Sequence, residues 1–413
     1  MDDRWHDNNA DAGDPGLQVP PPAGPPPLRS KITGVLVLAT LVVGFFLARN
    51  AVTSALLFFV ILLGIVMMHE LGHFVTAKAF GIRVHEFAFG FPPRIWGKRF
   101  GETEYTINWL PLGGFVRLEG EENPTGPRSL AARPAWQRLI VLGSGAGINL
   151  VLPVVLFAFA LMVPHQEAEG RAVIAEAYPG APAAEAGLLA GDVIISINGR
   201  EAKNLPEASR LVRIYRGKTV DITVRRAGEF LTVPVESRWA PPAGQGPTGI
   251  TIAPEAVAPD GRAFTVTVSV PPWEAFPQAT RLTWDTMVLA RNEIVSWFRG
   301  ATRPEFQGPV GIAQTTGEVA RSSETVAGAV SPLLELAALL SINLGIINLL
   351  PLPMLDGGRM FFVVLEVLRG GRRIAPEREA IVHMVGFVMF IALALVVTFF
   401  DISRIASGDS VFR

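Results

Sequence analysis

The run from residue 58 to 80, FFVILLGIVMMHELGHFVTAKAF, constrains this chain more than any other stretch. Its first half is almost wholly apolar. With the residues before it, it is long enough to cross a bilayer as a helix. Yet it closes on His69-Glu70-Leu71-Gly72-His73. Positions four apart share a face of a helix, so His69 and His73 can aim both imidazoles at one metal ion, with Glu70 beside them as a candidate base. Ionisable side chains inside an apolar span are costly, and that cost marks a functional site. Such a site needs a third protein ligand from elsewhere in the chain.

The composition agrees with a membrane setting. Of 413 residues, 49% are hydrophobic and only 18% charged, which fits several spans carrying soluble insertions. A formal net charge of −1 gives no electrostatic footprint for nucleic acid. The absence of cysteine excludes disulfides and a thiolate-bound metal. Residues 1–29, acidic and proline-rich, read as a disordered tail. Apolar runs at about 32–48, 51–80, 136–163, 333–350 and 381–400 predict about five spans. Arg83, Arg94, Lys98, Arg99, Arg117, Arg128 and Arg133 fill one connecting region, and Arg369, Arg372 and Arg373 another. The positive-inside rule places both in the cytoplasm, with residues 165–270 and the C-terminus outside.

The soluble parts differ in kind. Residues 81–135 alternate in short stretches between turn signals and predict β-hairpins. Residues 165–240 read strand, turn, short helix, strand, helix, two strands. Within them AGLLAGDVIISINGRE (186–201) and TVDITVRRAGE (219–229) resemble a PDZ domain, which either binds extended peptides or only restricts access. Residues 241–305 read as a β-rich tail and linker. Their amphipathic helix, about 271–300, lies on the membrane surface or packs on the inserted domain. Residues 306–314, FQGPVGIAQ, predict a turn-rich re-entry.

Asp356 is the natural candidate for the third ligand, the alternative being a carboxylate that merely ends a helix. It stands in a long apolar stretch behind Pro351 and Pro353, which interrupt the helix, and ahead of Gly357 and Gly358, which allow close approach. Asn348, eight residues earlier, can hydrogen-bond a substrate backbone. Asn149 is packing glue in lipid or a neighbour of the active site, and Gly143 and Gly147 suit helix packing. His85 and His165 are not assigned as ligands; His383, inside the last span, is a packing or supporting group.

Together HELGH at 69–73, the glycine-rich span ending in Asn149, FQGPVGIA at 306–313 and NLLPLPMLDGG at 348–358 resemble the site-2 protease family, in particular its bacterial regulator-of-sigma-E protease type. The resemblance spans about residues 62–405. It implies a polytopic α-helical membrane protein of about five spans, with a membrane-associated β-hairpin region and an inserted α+β PDZ domain. One zinc ion would be held by His69, His73 and Asp356, with Glu70 activating water. Substrate would lie along LPLGGFVRLEG (110–120), touching Gly113, Gly114 and Phe115, with Asn348 and Asn149 nearby. The expected substrates are transmembrane stubs of already cut proteins such as anti-sigma factors, and remnant signal peptides. The span at 32–48 and the single PDZ domain depart from the four-span and tandem-PDZ members.

Overall fold

The computed structural model describes residues 50–121, 124–242, 244–256, 264–302, 307–323 and 325–407 with their side chains (Leu112 by its backbone alone), and the helical backbone from residue 28. The tail at 1–29 and the expected extra span at 32–48 lie outside the residues so described. Residues 53–413 form one compact unit.

Helix α1 (Leu28–Ala79) ends in the HELGH stretch. A bent ribbon follows, made of β1 (Val84–Phe100) and β2 (Thr103–Leu118). Then α2 (Ala135–Met162) follows. Among the described residues four helical stretches are long and apolar enough to cross a membrane: Asn50–Ala79, Ala135–Met162, Val326–Leu349 and Pro376–Ala406. The last two are α7 and α9, introduced below.

Each strand of the ribbon is too long to stay straight, and each bends. Residues 94–100 pair with 103–108, while residues 86–89 pair on one side with 104–107 and on the other with 114–117. The order of segments is therefore 94–100, 103–108, 86–89, 114–117, with 114–117 at an edge. Gly90 sits at the bend at φ +79, where a Cβ would lie 2.8 Å from the Leu110 carbonyl; only glycine permits that approach. Arg128 and Lys78 both hydrogen-bond Glu102 at 2.7–2.8 Å and pull its pKa down to about 2. They tie the end of α1 to the turn of the ribbon.

An inserted module follows. Strands β3 (His165–Ala168), β4 (Ala172–Ala177), helix α3 (Pro182–Glu185), β5 (Val193–Ile197), β6 (Arg200–Glu201), α4 (Leu205–Ile214), β7 (Thr219–Arg226), β8 (Glu229–Glu236), β9 (Ile250–Pro254) and β10 (Thr265–Val268) run in that order. The main sheet has the order β8-β7-β5-β4-β9, with β6 beside β5. Strand alternation sends Ile222 and Val224 into one core with Ile174, Leu188 and Leu211, and a register shift between Ile194 and Ser196 lets β5 add both Ile194 and Ile197 to it. Strand β9 belongs to this sheet, so the sheet extends past residue 240. A separate ribbon, β3 with β10, sets the entering and leaving chain side by side.

Helix α5 (Pro272–Phe298) shows the packed alternative for the amphipathic segment. Ala275 and Ala279 pack among Phe157 and Ala158 of α2 and residues Ala338 and Ile342. Further along, buried Asp285 takes a two-pronged bond from Arg200 of the module at 2.6 and 2.8 Å. Asn292 Nδ2 donates to the Ile214 carbonyl at the end of α4. Trp273 and Trp284 remain exposed on the other face.

The segment after α5 differs from expectation. Residues 309–321 form a helix, α6 (Pro309–Arg321), where a turn-rich re-entry was expected. Its start is capped from a distance: the Gly311 N–H donates to buried Asp401 at 2.7 Å. The glycines that suggested turns leave room for that carboxylate, since Cβ atoms on Gly308 and Gly311 would lie 2.8 and 2.9 Å from its oxygens. Helix α7 (Val326–Leu349) then runs to Pro351, α8 (Asp356–Leu368) opens on Asp356, and α9 (Pro376–Ala406) carries Asp401 near its end. Helix α2 packs against α5, α7 and α8.

Candidate metal centre

The C-terminal part of one helix and the start of another meet at the site. His69 and His73 occupy successive turns of α1, their rings 4.8 Å apart and nearly perpendicular. Asp356 is the first residue of α8. Its Oδ2 lies 2.9 Å from His69 Nε2 and 3.2 Å from His73 Nε2, and the two Nε2 atoms are 3.1 Å apart. Ligands about 2.0 Å from a tetrahedral zinc stand ~3.3 Å from one another, so this triangle has nearly that size. Among the described residues these three form the cluster able to hold a metal.

The protonation pattern tests the fit. His73 Nδ1 lies 2.8 Å from the Val141 carbonyl, an acceptor only, so Nδ1 carries the proton and Nε2 presents a lone pair. His69 Nδ1 faces the fully buried Asn149 carboxamide at 3.3 Å, and Asn149 Oδ1 is otherwise a buried acceptor with no partner. Turned about its last bond, the carboxamide accepts the His69 Nδ1–H and satisfies that oxygen. Both Nε2 atoms then aim lone pairs at a carboxylate. Three electron-pair donors this close suit a shared cation, and the residues present fit a zinc ion.

Close helix packing makes this convergence possible. A Cβ on Gly72 would lie 2.6 Å from the Ser144 carbonyl oxygen, so α1 and α2 touch backbone to backbone. Gly145 backs the site itself: a Cβ there would lie 2.5 Å from His73 Nε2 and 2.7 Å from His69 Nε2. Thr76 and Ser144 bond across the same seam at 2.9 Å. Gly143 and Gly147 do not play the packing role expected of them. A Cβ on Gly147 would meet nothing within 4 Å, and one on Gly143 would make an ordinary contact with Met360. Gly357 and Gly358 lie so close to the carbonyls of Leu350 and Leu352 that a Cβ on either would overlap them.

The remaining expected residues fall in two groups. Gly113 and Gly114 are buried against α1, and a Cβ on Gly114 would lie 3.7 Å from Glu70 Cγ. The backbone N–H of Val116, in the same edge segment, faces Glu70. Phe115 pairs with Ala88 in the ribbon and stacks on Phe91. Asn348 is buried in the last turn of α7, where Nδ2 donates to the Leu344 carbonyl at 3.0 Å. Asn149 contacts His69, which makes it a neighbour of the candidate metal cluster. His85 faces Glu119, and His165 bonds the Val163 carbonyl, both away from the site. Gly72 and Gly145 escaped sequence reasoning. A small-residue run signalled contact, but only the helix geometry selects which glycine makes it.

The arrangement is that of a metallohydrolase built among membrane-length helices. Comparison with known proteins agrees: residues 57–393 match the model of Peptidase family M50, and the chain belongs to that family. It is 29% identical over 446 residues to the regulator of sigma-W protease RasP of Bacillus subtilis, covering 86% of this chain and 99% of that one. To the zinc metalloprotease RasP of Geobacillus kaustophilus it is 29% identical over 438 residues, 85% and 98% of the two chains. A Nostoc chain with a provisional zinc-metalloprotease name is 34% identical over 366 residues, 83% of this chain and 94% of its own. The protein is a zinc metalloprotease with several membrane-length helices.

Proposed function

We propose that this protease hydrolyses peptide bonds within the transmembrane segments of proteins already trimmed by a first cut, anti-sigma-factor stubs and remnant signal peptides among them. The observation that carries the reading is the join of a zinc triad to the edge of a β-ribbon. His69, His73 and Asp356 converge in the apolar layer, and Glu70 beside them touches the edge segment 114–117. A helical peptide bond is shielded, so a transmembrane substrate must unwind before cleavage. Pairing its freed backbone groups with the open edge of 114–117 offsets the lost helical hydrogen bonds.

Zinc, when bound, polarises the scissile carbonyl and lowers the pKa of water. Glu70 takes a proton from the attacking water and hands it to the leaving amine. Asn348, freed from the Leu344 carbonyl, supplies an amide N–H to the substrate backbone. Asn149 holds the His69 ring in the tautomer that leaves Nε2 bare. The buried surround keeps bulk water from competing. The inserted module acts as a PDZ domain on the outer face, excluding substrates with large outer domains, while the basic ribbon region lies at the cytoplasmic side. The name of the Bacillus relative, a regulator of sigma-W protease, supports the anti-sigma-factor class of substrate.

Purified Glu70→Gln protein should retain zinc and fail to cleave a model transmembrane peptide. Wild-type turnover in that variant would remove Glu70 as the base.

A further inference from the structure

The turn that presents Asp356 is gripped from its far side by α9. Helix α7 stops because Pro351 and Pro353 cannot continue it. The chain then reverses through Met354, a non-glycine residue at φ +72. An L-residue holds such a conformation only where its surroundings over-determine it. Here His383 of α9 accepts the Met354 N–H on Nδ1 at 2.7 Å. One turn further along α9, a Cβ on Gly386 would overlap Pro353, so the helix backbone lies directly against the turn. The His383 ring is itself fixed. Phe362 of α8 packs on it, centroids 5.6 Å apart, and Glu379 Oε1 lies 3.8 Å from Nε2. Because Nδ1 accepts, the ring proton sits on Nε2, facing Glu379.

We infer that His383 is a positioning residue of the metal centre: by accepting the Met354 N–H it sets the left-handed turn that aims Asp356 at His69 and His73. Asp356 lies two residues beyond Met354, and metal–ligand distances tolerate only about 0.2 Å. A turn released from α9 can swing the carboxylate by more than that without unfolding either helix. The inference rests on Asp356 being a zinc ligand.

The test uses full-length protein in detergent and measures zinc affinity by competition with a chromophoric chelator, with cleavage of a transmembrane peptide as a second readout. His383→Leu removes the acceptor and should weaken zinc binding about 10–100-fold, the usual cost of losing a supporting hydrogen bond at a metal site. His383→Asn places Oδ1 as many bonds from Cβ as Nδ1 and should restore affinity close to wild type. Asp356→Asn tests the ligand itself and should weaken zinc more than His383→Leu. Unchanged zinc affinity in Asp356→Asn overturns the ligand assignment, and the inference with it. Loss in Asp356→Asn with wild-type affinity in His383→Leu overturns the positioning role alone. Equal loss in His383→Leu and His383→Asn, both folded by thermal unfolding, also overturns it, because the acceptor would then not be what matters.

Discussion

Gly145→Ala adds one methyl group where the two imidazoles meet. Its Cβ would stand 2.5 Å from His73 Nε2, whereas an ordinary contact begins near 3.4 Å. The ring, the helix or both must therefore give by about 0.9 Å, well beyond the ~0.2 Å a metal site tolerates. Retreat of α2 is opposed by the Thr76–Ser144 bond and by the Val141 carbonyl held on His73. A misplacement of about 1 Å costs catalysis on the order of 10²-fold, or ~2.7 kcal/mol of transition-state stabilisation. Cleavage of a transmembrane peptide in proteoliposomes gives kcat/KM, and chelator competition gives zinc affinity. Both should fall, zinc affinity by about 10–100-fold. Gly147→Ala is the internal control, since its Cβ would meet nothing within 4 Å. Activity and zinc affinity of Gly145→Ala equal to those of Gly147→Ala would refute the argument that α2 backs the site.

Two further outcomes follow from named contacts. Asn149→Ala removes the partner of His69 Nδ1 and should weaken zinc binding by about an order of magnitude, with catalysis at saturating zinc less affected; unchanged zinc affinity would argue that the carboxamide only packs. In the module, burial raises the Asp192 carboxyl, but a two-pronged bond from Arg226 and the Leu189 N–H outweigh it and hold the pKa below its ordinary value. A depressed folded pKa gives stability that is complete above the unfolded value near ~4 and is lost as pH falls through the folded one. Protection factors for hydrogen exchange at β5 and β7 of the full-length protein, taken relative to the intrinsic amide rate at each pH, should therefore fall on acidification below about pH 4 in wild type, and be lower and flatter with pH in Asp192→Asn. An identical pH profile in both proteins would show that the pair carries none of the acid dependence.

Some of this architecture was legible because it is written locally. The i, i+4 histidines need only helical geometry to share a face, and two prolines separated by one residue before Asp356 signal a helix break more strongly than the single prolines that α2, α5 and α7 carry within them. The ribbon was legible as strands from alternation and turns, but its doubled pairing was not. Nothing in 86–89 says that it pairs with both 104–107 and 114–117; the bend at Gly90 decides that. Residues 309–321 misled because glycine is ordinarily a turn signal. In FQGPVGIA two glycines instead clear space for Asp401, ninety residues later, which caps the helix they begin. The exchange of Gly145 for Gly143 and Gly147 has the same origin. All three lie in one small-residue run, and the rotation of α2 that presents one of them to the histidines is set by packing on other helices.

Helix α2 supplies no ligand, yet both histidines are fixed by it. The Val141 carbonyl sets the proton on His73, Asn149 faces the outer nitrogen of His69, and Gly145 between them lets both Nε2 atoms come close to the helix backbone. Residues 141, 145 and 149 are spaced by four and form one stripe. Asp356 is held differently: by the backbone crowding of Gly357 and Gly358 and by the bond from Met354 to α9. The imidazole half of the centre is thus braced by a helix that packs on α5, α7 and α8, while the carboxylate half hangs on a turn braced by α9. Release of the α9 grip would move Asp356 and leave His69 and His73 in place. On the ligand set proposed above, the carboxylate is therefore the part of the site that depends on α9.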